Sequence, residues 1–96
     1  MARALSGVIL IDAARDELLE QQHVLLARVH RARGDRELAL NELRMALWSR
    51  EEPALRAELA SLLMEAGRTA EARLEAEKVL KTDPGNEAAR KVLELP

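Results

Sequence analysis

Apolar residues recur along the chain every three or four positions, with charged residues filling the gaps, which is the spacing that turns one face of an α-helix toward a core. Over residues 18–33 this puts Leu19, Leu25, Leu26 and Val29 on one predicted stripe. Over 36–50 the stripe is Ala39, Leu43, Ala46 and Leu47. Leu55, Leu59, Leu62, Leu63 and Ala66 form it over 54–66, and Ala72, Ala76, Val79 and Leu80 over 70–82. A short last helix follows Asn86, with Ala89, Val92 and Leu93 inward. A less regular segment, about 4–15, comes first and contains the run Gly7-Val8-Ile9-Leu10-Ile11.

Breakers divide these stretches. Asp35, Thr69 and Asn86 are predicted N-caps, since their side chains can accept from the orphan N–H groups of a first turn. Pro53 suits a first helical position, where its missing N–H is harmless. Gly67 is predicted to end a helix in the left-handed conformation that glycine adopts cheaply. Asp83-Pro84-Gly85-Asn86 reads as a turn. A break is also expected near Asp12 or Asp16.

A shift of thirty-three residues superimposes Leu26 on Leu59, Ala27 on Ala60, Gly34 on Gly67, Ala39 on Ala72, Glu42 on Glu75 and Leu47 on Leu80. Composition alone gives about four such identities, so their placement matters more than their number. They fall on inward positions and on the glycine between paired helices. Alanines at 27, 39, 60 and 72 would let helix backbones approach closely, with leucines filling the space beside them.

On these residues the chain resembles the tetratricopeptide repeat family. Leu59-Ala60, Ala72 and Pro84 match the family's Leu-small pair, later Ala and closing Pro; Leu26-Ala27, Gly34 and Ala39 fill the same places one unit earlier. Departures are clear. His23 and Arg56 stand where the family prefers Trp, His30 and Leu63 where it prefers Tyr, Leu43 and Ala76 where it prefers Phe, and Glu51 where a closing Pro belongs. The resemblance implies one all-α domain over 1–96, built of antiparallel hairpins stacked as a short α-solenoid: a capping helix in 1–19, units at 20–52 and 53–86, and a capping helix in 87–96. It also implies a concave groove between first helices that holds a peptide or helix of a partner protein, acidic segments included. Carried over residue by residue, that groove would be lined by Val24, Arg28 and Arg31, then Ala57, Ser61 and Met64, then Lys91. The family's carboxylate-clamp pattern of Lys and Asn is not reproduced.

Composition supports the fold class. The chain of 96 residues has one Trp and no Phe or Tyr, with few β-branched residues to build strands. A third of its residues are charged yet the net charge is −2, which argues against a nucleic-acid partner. No cysteine is present for a disulfide or thiolate metal site. No apolar run is long enough to span a membrane, and a cytoplasmic protein is expected.

Candidate chemistry is sparse. Glu20-Gln21-Gln22-His23 is an E-x-x-H, but a di-iron bundle needs a second copy, and Ala27 stands where the glutamate before His30 would be. Ser6, Ser49 and Ser61 have no nucleophile motif around them. No enzyme activity, metal or cofactor is expected. Trp48, beside the apolar face of its helix, is read as packing. The 7–11 run is read as part of a helix packed on the next one. A rival reading is a small helical bundle that self-associates as a homodimer through this run and the Val92/Leu93 edge.

Overall fold

A computed structural model of the chain describes residue 18 and residues 20–95. Among these residues it has no strand and five helices: α1 (20–32, with Leu18 also helical), α2 (Arg36–Ser49), α3 (Pro53–Glu65), α4 (Thr69–Thr82) and α5 (Glu87–Glu94). The helix expected within 1–19, its 7–11 run included, and the side chain of Leu19 lie outside the described residues.

The thirty-three-residue shift is a structural repeat. It carries the end of α1 onto the end of α3, and α2 onto α4 residue for residue at both ends. The hinge repeats as well. Gly34 and Gly67 have φ of 84° and 81°, a left-handed geometry that costs any residue with a Cβ. The hydrogen bonds from Gly34 N to Arg31 O and from Asp35 N to His30 O recur as Gly67 N to Met64 O and Arg68 N to Leu63 O. Each hinge therefore closes the last turn of one helix and reverses the chain into the next.

Capping differs from expectation. Asp35 occupies the N-cap of α2 but its side chain makes no capping hydrogen bond. Thr69 is the first residue of α4 rather than its cap, which is Arg68. Both caps have nearly the same backbone angles, so the glycine hinge sets the helix start without help from a side chain. Asn86 does cap α5, accepting from Ala89 N at 3.0 Å. Pro53 takes the first position of α3.

The core runs between the helices. Helix α3 is its centre and packs against α2, α4 and α5. Ala39, Ala46, Ala60, Ala72, Ala76 and Ala89 are fully buried at the close approaches, with Leu40, Leu62, Leu63 and Val79 filling the space beside them. Burying each such Leu or Val is worth roughly 1.5–3 kcal/mol. Leu40 was absent from the predicted stripe of α2, and Ala66, Leu80 and Leu93 are only partly buried.

Helix α1 corrects the sequence reading. Its inward residue is Ala27, flanked by the half-buried His23, Val24 and His30. Leu25, Leu26 and Val29 point away from the core and are exposed. The helix is apolar on two faces, and the larger side chains lie on the outer one. Ala27, 2% exposed, is the residue of α1 that joins the core cluster. No helix among the described residues is long and apolar enough to cross a membrane.

Candidate functional site

First helices α1, α3 and α5 alternate with second helices α2 and α4, so one surface of the stack is made of first helices alone. Two depressions lie along it. One joins α1, α3 and α5 and is lined by Arg31, Ser61, Met64, Glu65, Glu87, Ala88, Lys91, Val92 and Leu95. The other lies between the starts of α1 and α3 and includes Val24, Leu25, Arg28, Ala54, Leu55 and Glu58. Of the residues the family resemblance placed in a groove, Arg31, Ser61, Met64 and Lys91 meet around the first depression, and Val24 and Arg28 line the second. Ala57 is 2% exposed and belongs to the core. It shares a helix face with Ser61, one turn on, but its short side chain is covered and does not reach the groove.

The arginines of this surface are paired with carboxylates. Arg28 donates to Glu58 at 3.0 Å. Arg31 donates through both Nε, at 3.1 Å, and Nη2 to the Glu65 carboxylate. That paired hydrogen bond raises the Arg31 pKa above its ordinary value, against the opposing effect of partial burial. Each arginine thus bridges α1 to α3 and carries its own counter-ion. These pairs join residues about one repeat apart, and scanning the sequence for opposite charges at that separation would have found them. The other cation of the first depression is Lys91, one helical turn after Glu87 on the same face of α5. Met64, Ala88, Val92 and Leu95 supply its apolar part, and Leu95, at the end of α5, was not foreseen.

Away from the groove, polar side chains lock the paired helices. In the second unit Arg56 donates to Glu51, with Nη2 at 2.7 Å, and to Glu75. The hydrogen bonds from Arg56 hold the Glu51 carboxyl below the ordinary glutamate value of 4.5, and Glu51 in turn raises Arg56. In the first unit the equivalent pair is His23 and Glu42. His23 is thus engaged across the hairpin rather than by Glu20 of the E-x-x-H, and no group of three or more potential ligands among the described residues could hold a metal ion.

Trp48 corrects a further reading. It is 93% exposed on the side of α2 opposite the core, at the rim of a depression shared with Arg44, Leu47, Glu51 and Arg56. Packing therefore does not explain it.

Comparison with known proteins agrees with the repeat geometry. Residues 53–93 match the Tetratricopeptide repeat family. This stretch, α3 through α5, is similar to a divergent tetratricopeptide repeat, a type of repeat that generally mediates protein–protein interactions. No curated protein and no solved structure matches the chain.

Proposed function

We propose that the stack is a non-enzymatic interaction module that holds a peptide or helix of a partner protein against the surface formed by α1, α3 and α5. The observation that carries this reading is the depression where Arg31, Ser61, Met64 and Lys91 converge from three successive first helices. Hinged helices fixed by buried alanines present these side chains on a rigid frame, which lowers the ordering cost of binding. Met64, Val92 and Leu95 would take an apolar side chain of the ligand, while Ser61 and Lys91 would take polar groups.

Internal pairing refines the ligand chemistry. Arg28 and Arg31 already hold carboxylates, so an acidic ligand must either displace Glu58 and Glu65 or bind beside them. The fit is better for a mixed segment with one apolar anchor and a carboxylate directed at Lys91 than for a uniformly acidic one. The test is affinity capture compared between the parent chain and two variants, Ser61→Arg/Met64→Glu and Arg28→Glu/Arg31→Glu. Loss of a partner with the first variant and partial loss with the second is expected. A partner retained at unchanged affinity by both would remove the groove from the account.

A further inference from the structure

The two depressions on the first-helix surface carry different charge. The one at the starts of α1 and α3 holds three carboxylates, Glu20, Glu52 and Glu58, against one guanidinium, Arg28. Arg28 is already taken by Glu58 at 3.0 Å. Glu52 meets Arg50 at 3.2 Å, with both side chains partly exposed, and such a pair contributes little and exchanges easily. What is left over is negative, and beneath it lie the buried Leu55 and the half-buried Val24. The depression that α5 shares is balanced instead. Arg31 and Glu65 neutralise each other there, and Lys91 follows Glu87 by one turn. The repeat itself inverts the charge: Arg28 and Glu58 of the α1–α3 contact become Ser61 and Lys91 one unit on, so α5 has a cation where α3 has a carboxylate.

An apolar floor under carboxylates suits one kind of side chain above others. Lysine and arginine lay a hydrocarbon stem on apolar surface and keep the charged head at its rim. Glu20 and Glu52 are the acceptors for that head, which an arginine would meet with a fork of donors. We infer that the captured segment is ordered by charge along α1 and α3: a lysine or arginine over Val24 and Leu55, then an apolar anchor over Met64 and Leu95, then a carboxylate at Lys91. This order rests on the groove reading and adds a direction to it. Val24 and Arg31 mark the two depressions on α1, and their separation is about 10 Å along the helix axis. The basic residue and the anchor are therefore about three residues apart in an extended ligand, or about two turns apart in a helical one. A segment bound the other way would set its carboxylate against Glu20 and Glu52 and its cation against Lys91, so that like charges meet at both ends.

The probe is an unbiased display library of short peptides selected on the full chain, with synthetic copies of the enriched sequences then titrated against it. Enriched peptides should carry Lys or Arg at that distance from an apolar residue, with Asp or Glu beyond the apolar one. Glu20→Lys/Glu52→Lys should weaken them at least about tenfold, and a peptide whose basic residue is changed to Glu should regain the loss on this variant. The milder Glu20→Gln/Glu52→Gln should weaken them in the same direction, and circular dichroism on each variant checks that the helices remain folded. Ser61→Arg/Met64→Glu should abolish binding of every peptide, which tests the groove itself. Peptides that need Ser61 and Met64 but bind Glu20→Lys/Glu52→Lys unchanged, or that carry Asp or Glu in place of the basic residue, overturn the charge order and leave the groove standing. An absence of binders, or binders indifferent to Ser61→Arg/Met64→Glu, removes the groove and the order with it.

Discussion

The two hairpins share a backbone and differ in what surrounds them. In both, the end of a first helix, a left-handed glycine and fourteen residues of second helix follow in the same register. Yet Leu59 is buried and Leu26 exposed, Arg56 bridges two carboxylates where His23 meets one, and Leu63 is buried where His30 leaves a ring nitrogen unpartnered. Burial here is set by place in the stack, not by the residue's own hydrophobicity. A hairpin cannot cover both of its faces, so the second unit is closed by its neighbours and, among the described residues, the first only on one side.

The largest effect should come from emptying the closed unit. Leu62→Ala removes a fully buried side chain at the contact of α3 with its neighbours, and a loss of about 3 kcal/mol is expected in urea unfolding. Trp48→Ala, on the exposed side of α2, should change stability by less than about 0.5 kcal/mol. Comparable losses in both would mean that Trp48 is buried in solution by something outside the described helices.

Next comes the polar lock. Arg56→Ala leaves the half-buried Glu75 without its main donor and should cost about 2 kcal/mol, more than His23→Ala, which frees Glu42 from a single contact. The lock also predicts a pH dependence. The folded pKa of Glu51 is depressed, so its stabilising contribution is fully present above the ordinary value of 4.5 and is lost as pH falls through the lower folded value. Urea midpoints measured from about pH 6 to about pH 3 should therefore fall less steeply in Arg56→Ala than in the parent.

The hinges should behave alike, which is where the two units agree. Nothing lies within 4 Å of a Cβ built on Gly34 or Gly67, so the cost of alanine there is conformational rather than steric. About 1–2 kcal/mol is expected at each. A large difference between Gly34→Ala and Gly67→Ala would show that one hinge relaxes and the other is held by its unit.

How much of this was legible in the sequence follows the same division. The second unit could be read nearly whole: its stripe of leucines is the buried one, and Gly67 ends α3 as glycine in that context must. In the first unit periodicity found an apolar stripe but could not say which neighbour it faced. Leu25, Leu26 and Val29 outweigh Ala27 in hydrophobicity, yet Ala27 is the buried residue of α1 among the described ones. For the groove, the family register brought Arg31, Ser61, Met64 and Lys91 to one place, but Ala57 is too short to emerge from beneath its neighbours. The glutamates that pair with the arginines were invisible while cations were counted one at a time. Trp48 was misread because a large aromatic beside an apolar stripe looks like core, whereas the roughly 100° of rotation that separates it from the buried Leu47 leaves it in the open.

The smallest predicted effect is the most direct test of the comparison. His30 Nδ1 is shielded from solvent and has no hydrogen-bond partner, while Leu63, the same position in the second unit, is buried without any polar atom to satisfy. A buried donor or acceptor left unpaired costs about 1–3 kcal/mol, and the ring is only partly enclosed. His30→Leu should therefore stabilise the chain by about 1 kcal/mol, by removing a desolvated nitrogen and extending the apolar surface of α1. The reciprocal Leu63→His should destabilise by more than that, because its site is closed on all sides. Urea unfolding of both variants gives the answer. A neutral or destabilising His30→Leu would mean that the nitrogen finds a partner in solution, and that the first unit is better satisfied than its open side suggests.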